Sequence, residues 1–211
     1  PATPGRPAQP QTVLTVVRTE RLTPHMVRVS LGGDEFAAFQ ARWAEKGATD
    51  QYIKLLFADP ALGLTPPYDM DALRERLAPE QMPVRRTYSV RAVDAEAGTV
   101  DVDFVVHGDD GLAGPWAASV QPGEQVCFGG PGGNYRPDPA ADWHLFAGDE
   151  AALPAIAAGL EDLATTAPDA VGTALIEVEG PEDEQPVTAP AGVEVRWLHR
   201  GAEFTPQKIG R

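Results

Sequence analysis

Cysteine, histidine and serine are scarce in this sequence of 211 residues. With Cys127 as the only cysteine, no internal disulfide can form, and the four histidines are too scattered to give metal-ligand spacing. None of the three serines lies in the Gly-x-Ser-x-Gly turn of a hydrolase. We therefore expect neither a disulfide scaffold, nor a metal site, nor a hydrolytic triad. The histidines are His25, His107, His144 and His199, and the serines are Ser30, Ser89 and Ser119.

Basic residues and long apolar runs are also few. The 17 Lys and Arg residues stand against 31 Asp and Glu residues, and the net charge of -14 opposes binding to a nucleic-acid backbone. The apolar run 151–160 contains Pro154 and is about half as long as a membrane span. We expect a soluble, cytoplasmic, monomeric protein without nucleic-acid or membrane partners, with a flexible arm at residues 1–11.

Glycine and proline are abundant, with 21 residues each, and predict many turns between short elements. The clearest strand is Thr99–Val106, where apolar residues alternate with Asp101 and Asp103, as expected when one face is buried and the other contacts water. This pattern predicts an antiparallel barrel or sandwich over residues 12–138, with helices at Asp34–Glu45 and Asp71–Leu77. The six predicted strands are Thr12–Arg18, Met26–Leu31, Tyr52–Phe57, Thr87–Arg91, Thr99–Val106 and Gln125–Gly129.

The pattern changes after about residue 137. A strand at 143–147, a helix at Glu150–Leu163 and strands at Thr173–Glu179 and Val193–Leu198 predict a smaller parallel α/β unit over residues 139–211. No Lys or Arg occurs between Pro137 and Val195.

One candidate site is the segment Arg85-Arg-Thr-Tyr-Ser-Val-Arg91. Strand alternation places Arg86 and Tyr88 on one face and Thr87 and Ser89 on the other. A guanidinium suits a phosphate, an aromatic ring suits a stacked heterocycle, and a hydroxyl can bond a ring nitrogen. The alternative is a surface strand with ordinary charges.

Two Gly-containing turns, each followed by a helix start, are further candidates. The segment 106–118 predicts a strand, a turn and a short helix, whose first amides around Leu112, Ala113 and Gly114 could cradle an anion. The segment 146–156 has a similar order, with Asp149 as a possible helix cap. Each is also compatible with a plain connection between elements.

In this order, the segments resemble those of the siderophore-interacting protein family, FAD-dependent ferric-siderophore reductases related to ferredoxin–NADP reductases. The resemblance extends from about residue 12 to 200. The matching segments are Leu22-Thr-Pro-His-Met-Val-Arg-Val, Asp50-Gln-Tyr-Ile-Lys-Leu-Leu-Phe, Arg86-Thr-Tyr-Ser, Asp103-Phe-Val-Val-His-Gly, Gly114-Pro-Trp-Ala, Pro122-Gly-Glu, Gly130-Pro-Gly-Gly, Gly148-Asp-Glu-Ala-Ala-Leu-Pro-Ala-Ile and Val195-Arg-Trp-Leu-His-Arg.

The resemblance implies a six-stranded FAD-binding barrel followed by an incomplete NAD(P)H-binding α/β domain. Within the segment Arg86, Thr87, Tyr88 and Ser89, it implies that Arg86 holds the FAD diphosphate or ribityl region, Tyr88 stacks on the isoalloxazine ring and Ser89 lies near flavin N5. The implied phosphate and adenine side consists of His107, Gly108, Leu112, Ala113 and Gly114, with Trp116 beneath. The implied nicotinamide-nucleotide site consists of Gly148, Asp149 and Glu150, joined by Glu179, Trp197 and Arg200.

The resemblance also implies a substrate and an electron path. A nicotinamide cofactor would reduce the flavin, which would pass electrons singly to the Fe(III) of a siderophore held by Lys54 and Arg136, releasing Fe(II). The alternatives are an FAD-binding iron-chelate module reduced by ferredoxin or lacking its own NAD(P)H activity, and a ferric reductase without chelate specificity. Three features depart from the family pattern. Gly114 stands where the family commonly has Ser, and Ala151 stands where it usually has Thr. The family pattern also continues beyond the position of Arg211 with a stretch that nothing in this sequence matches.

Overall fold

The computed structural model describes residues 10–108 and 111–200. Within them the chain forms nine strands, four α-helices and three short 3-10 helices. The strands are β1 (Gln11–Thr23), β2 (Met26–Gly32), β3 (Tyr52–Phe57), β4 (Val84–Asp94), β5 (Thr99–Val105), β6 (Gln125–Gly132), β7 (His144–Asp149), β8 (Val171–Val178) and β9 (Gly192–His199). The α-helices are α1 (Phe36–Lys46), α2 (Met70–Arg76), α3 (Ala113–Ser119) and α4 (Leu153–Thr166), and the 3-10 helices are Pro60–Leu62, Pro79–Gln81 and Pro181–Asp183.

The first six strands close an antiparallel barrel in the order β1-β2-β5-β4-β3-β6. Alternating side chains such as Val100, Val102 and Phe104 fill its interior and are essentially inaccessible to solvent. Helix α1 adds Phe36 and Phe39 to this core. The predicted antiparallel barrel and its six strands are therefore confirmed.

The ends of three barrel strands differ from those predicted by more than one residue, and one of the three is β6, which continues to Gly132. Strand β1 continues to Thr23 because the turn at Pro24 folds β2 back against it, and the backbone pairing needs no apolar alternation in the exposed residues 17–21. Strand β4 begins at Val84 and continues to Asp94, since it pairs first with β3 and then with β5.

The last three strands form a parallel sheet in the order β7-β8-β9, with α4 packed on one face. We call this part, β7 to β9 with α4, the α/β unit. Helix α4 begins at Leu153 rather than at Glu150, because the Asp149 carboxylate accepts hydrogen bonds from the amides of Ala151 and Ala152 and holds a turn before the helix. The predicted parallel sheet is confirmed.

The barrel and the α/β unit are in contact through ion pairs. Arg91 and Arg136 bind Glu161 and Asp162 of α4, and His25 binds Asp183. Among the described residues, no helix is long and apolar enough to cross a membrane. Most of the expected N-terminal arm and the end of the chain from residue 201 lie outside the described residues.

Candidate functional site

The wall of the closed barrel has an opening where β4 separates from β5. These two strands pair between residues 90–94 and 99–102, whereas the last residues of β5 pair with β2. The first half of β4, from Val84 to Ser89, pairs with β3 on its other side. One edge of β4 therefore faces the opening.

Backbone donors of β4 point toward this opening. Val90 donates its N–H to the carbonyl oxygen of Gln51 at 2.8 Å, on the side of β3. Since successive peptide groups of a strand point in opposite directions, the N–H groups of Thr87 and Ser89 point away from β3. They provide hydrogen-bond donors at the edge of the opening.

A crevice of about 410 Å³ lies at the opening, within the range of small-molecule sites, roughly 300–1,000 Å³. One wall is β4, a second is the start of α3 with the turn before it, and a third is the start of α4. The lining residues are Tyr52, Arg86, Thr87, Tyr88, Ser89, Asp103, Val105, His107, Gly111, Leu112, Ala113, Gly114, Ala151 and Pro154.

Arg86 and Tyr88 bring different chemistry to the β4 wall. The exposed Arg86 guanidinium donates to the carbonyl oxygen of Arg85 at 3.0 Å and, within the described part of the chain, forms no ion pair. The half-buried Tyr88 ring packs against Phe104, with centroids 4.4 Å apart. Burial raises the pKa of the Tyr88 phenol, and the charge of Arg86 partly opposes this shift, so the phenol is a neutral donor near pH 7.

The α3 wall consists mainly of backbone. In the part of the chain that the structure describes, no side chain caps the start of α3, and Leu112, Ala113 and Gly114 line the crevice. Gly114 allows this close packing, since a Cβ there would lie 3.0 Å from the carbonyl oxygen of Val105. Trp116 packs beneath, with its ring centroid 5.3 Å from that of Phe104.

The segment before α3 is only partly in the crevice. His107 lines it, whereas Gly108 does not. Asp109 and Asp110, between them and α3, lie outside the described residues.

The expected nicotinamide-nucleotide residues lie outside this crevice. Ala151 and Pro154 border it, whereas Gly148 and Asp149 end β7 and Glu150 pairs with Arg200. Arg200 also contacts Glu177 at 3.2 Å and Glu179 at 3.5 Å. The hydrogen bond to Glu150 raises the pKa of Arg200 well above its ordinary value, burial opposes this shift, and Glu177 adds to it.

The two expected substrate-binding residues also lie outside the crevice lining. Lys54 is its neighbour, because its Nζ lies 5.6 Å from the ring centroid of Tyr52, which lines the crevice. Arg136 donates to both carboxylate oxygens of Asp162, at 2.9 and 2.7 Å.

Sequence reasoning missed Tyr52 and was wrong about Asp103. The expected solvent-facing Asp103 is buried, with 6% of its surface exposed, because Arg28 lies directly opposite on β2 and donates to it at 2.7 and 2.8 Å. Tyr52 lies opposite Ser89 in the register of β3 and β4. The pairing of Asp103 with Arg28 could have been predicted only if the register of β2 and β5 had been known.

The crevice residues fit a dinucleotide such as FAD. A ring face, a hydroxyl, a guanidinium that forms no ion pair with another described residue, and backbone amides match the ring system, its polar edge and a diphosphate. Among the described residues, no group of three or more His, Cys, Asp or Glu side chains is arranged to hold a metal ion.

Comparisons with known proteins agree with this chemistry. The family model described as Siderophore-interacting FAD-binding domain matches residues 15–135, and the model described as Siderophore-interacting protein matches residues 141–209. An uncharacterised protein of Mycobacterium tuberculosis is 50% identical over 208 residues, which cover 96% of this chain and 70% of that protein.

A second relative and a solved structure extend the comparison. Ferric vibriobactin reductase ViuB of Vibrio cholerae is 35% identical over 193 residues, 89% of this chain and 66% of that protein. The crystal structure of a siderophore utilization protein from T. fusca has 38% identity and a TM-score of 0.74, covering 94% of this chain and 72% of that one. The chain therefore belongs to the siderophore-interacting protein family and carries the FAD-binding domain of that family.

Proposed function

We propose that the protein is an FAD-dependent reductase that converts the Fe(III) of ferric siderophores to Fe(II), with a nicotinamide cofactor as electron donor. The observation that carries the proposal is the crevice that brings Arg86, Tyr88 and Ser89 together beside the start of α3. The family membership and the name of the Vibrio cholerae relative support the substrate class.

Each wall of the crevice has a part in binding FAD. Arg86 would bind the diphosphate with its planar fork of donors, assisted by the amides of Leu112, Ala113 and Gly114. Tyr88 would offer its ring face, and Ser89 its hydroxyl, to the ring system. His107 would border the same ligand.

Bound FAD accepts two electrons as a hydride and releases them one at a time, a chemistry that amino-acid side chains lack. The protein positions the reactants: the core behind Tyr88 and Phe104 excludes water from one side of the crevice, and the neutral phenol keeps a donor in place. Iron is substrate here, and Fe(II) binds hard oxygen donors less tightly than Fe(III), so reduction favours its release.

Lys54 is our candidate for binding the siderophore. Its ammonium lies beside Tyr52 at the edge of the crevice and, among the described residues, has no carboxylate within ion-pair distance. It provides positive charge for an anionic chelate in a protein of net charge -14. Arg136 is already bound by Asp162, so Lys54 is the stronger candidate.

A spectroscopic titration tests the proposal. Purified protein mixed with FAD is expected to acquire a bound-flavin band at about 450 nm, which a nicotinamide cofactor bleaches and a ferric siderophore restores. Absence of flavin binding would contradict the proposal, as would a bleached flavin that no ferric chelate reoxidises under anaerobic conditions.

The charge of the α/β unit favours a second candidate, in which ferredoxin or another reduced protein supplies the electrons. The sequence has no Lys or Arg from Pro137 to Val195, and Arg196 and Arg200 are both paired with carboxylates. Within the described part of the α/β unit, this leaves little positive charge for a nucleotide phosphate. Bleaching by reduced ferredoxin, but by neither NADH nor NADPH, would identify this candidate as correct.

A further inference from the structure

Two arginines on the barrel side bind adjacent carboxylates of α4. Arg91 of β4 donates to Glu161 at 3.0 and 2.5 Å, and Arg136, which follows β6, donates to Asp162 at 2.9 and 2.7 Å. Each arginine uses two donors, so each pair fixes orientation as well as distance.

The position of the two carboxylates restrains the helix in more than one direction. Glu161 and Asp162 are consecutive, and consecutive residues of an α-helix point about 100° apart around its axis. Two forks at such neighbouring positions oppose both sliding of α4 along the barrel and rotation about its own axis.

The same helix forms a wall of the crevice. Pro154 in its first turn and Ala151 just before it line the crevice together with residues of β4, and Pro154 is seven residues before Glu161, about 10 Å along the axis. Leu160 and Leu163 are fully buried against the sheet of the α/β unit, so α4 and this unit move together. On β4, Arg91 comes two residues after Ser89.

We propose that Arg91 and Arg136 are positioning residues, which together with Glu161 and Asp162 set the distance between β4 and the start of α4 and thereby the shape of the FAD crevice. The proposal rests on FAD binding in that crevice. Each pair joins a partly exposed side chain, Glu161 at 38% or Arg136 at 52%, to one with 18% of its surface accessible. The proposed effect of the pairs is on the geometry of the crevice.

We call the Arg91–Glu161 and Arg136–Asp162 pairs the clamp. A double-mutant cycle on the dissociation constant of FAD tests it. Arg91→Met and Glu161→Met are each expected to weaken FAD binding about fivefold, and the double variant by about the same factor, because either single change already releases the helix. The matched control is Arg74→Met, which breaks an exposed Arg–Asp pair within α2 and is expected to leave FAD binding unchanged.

The Arg136–Asp162 pair is tested in the same way. Weaker FAD binding in Arg136→Met, coupled to Asp162→Met, supports the clamp, because a residue that touches only the siderophore would change the KM for the chelate and leave FAD affinity intact. Should a methionine variant not fold, Arg91→Lys keeps the charge, loses the fork and carries the same expectation.

The outcomes are distinguishable. Native protein that binds FAD while the clamp variants bind it equally well, or with independent effects that multiply in the double variants, overturns the clamp alone. A native protein that does not bind FAD at all overturns the proposed function and the clamp with it.

Discussion

At the scale of single residues, Arg86 and Tyr88 of β4 differ in how they line the same crevice. The charged Arg86 side chain is exposed, whereas the Tyr88 ring is half-buried because it packs against Phe104. A charge in water is available to a diphosphate, and a ring fixed by the core is available for stacking without further loss of side-chain entropy. The two side chains therefore contribute to binding through different physical effects.

Tyr88→Ala is expected to weaken FAD binding about fivefold, because an aromatic contact is worth about 1 kcal/mol beyond the area that it buries. Tyr88→Phe is the matched control, since it keeps the ring and its contact with Phe104. Fluorescence titration of FAD into each variant measures the effect, with urea denaturation to confirm that both are folded. An unchanged affinity in the alanine variant would remove Tyr88 from the site.

Arg86→Ala is expected to weaken FAD binding about tenfold, because a hydrogen bond to a charged partner contributes about 1.5 kcal/mol or more. Arg85→Ala removes the same charge from the adjacent position, and Arg85 does not line the crevice. Its effect on the FAD titration is expected to be less than about twofold. Equal losses in the two variants would show that general charge, rather than contact, matters here.

At the scale of elements, the end of β5 is paired on one side only, because β4 pairs with β5 no further than Val102. Beyond Val102 this strand continues beside β2, where Arg28 and Asp103 form a cross-strand pair with two hydrogen bonds. The hydrogen bond to Asp103 raises the pKa of Arg28, and burial opposes this shift. The pair allows a carboxylate to be buried at the crevice, next to the opening of the barrel.

Arg28→Met is expected to destabilise the protein by about 3 kcal/mol, because it leaves the buried Asp103 carboxylate without its counter-charge. Arg74→Met, at an exposed pair on α2, is expected to cost less than about 0.5 kcal/mol. Urea denaturation followed by circular dichroism compares the free energies of unfolding. Similar values for the two variants would mean that Asp103 is compensated by other groups.

At the scale of the whole molecule, a third contact ties the barrel to the α/β unit. The turn between β1 and β2 supplies His25, whose backbone N–H and ring Nδ1 lie 3.2 and 2.8 Å from the two carboxylate oxygens of Asp183. Asp183 has only 4% of its surface exposed. Burial acts to raise the pKa of Asp183, but the hydrogen bonds from His25 and Thr23 outweigh it and leave the pKa below its ordinary value.

This shift gives a pH dependence of stability with a defined sign. Because the folded-state pKa of Asp183 is lowered, its stabilisation is fully present above the ordinary carboxyl pKa and is lost as the pH falls through the lower folded-state value. Asp183→Asn is expected to reduce the free energy of unfolding by about 1–2 kcal/mol at pH 7. The difference from the native protein should shrink below about pH 4.

The matched control for this prediction is Glu184→Gln. It removes a more exposed histidine–carboxylate contact, with His199, that lies within the α/β unit. Chemical denaturation at several pH values compares the variants, and the control is expected to change stability by less than about 0.5 kcal/mol. A difference between native protein and Asp183→Asn that grows on acidification would contradict the assigned shift.

The order of elements and one wall of the crevice were determined by the sequence itself. Alternation in Thr99–Val106 predicted a barrel strand, and the contiguous segment 86–89 predicted chemistry that β4 brings to the crevice. Such features are local, because the side-chain period of a strand follows from its backbone geometry. The length of β1 was not predictable in this way, since its second half is held by backbone pairing with β2.

Only the tertiary structure decided which distant residues meet. The burial of Asp103 depends on the register of β2 and β5, and the presence of Pro154 and Tyr88 in one crevice depends on how the α/β unit packs against the barrel. Arg91 lies 70 residues before Glu161 in the chain, and their contact is likewise fixed by packing. The spacing of charged and hydrophobic residues along an element indicates which of its faces is buried. The partner of each charge is set by the register and packing of elements that lie far apart in sequence.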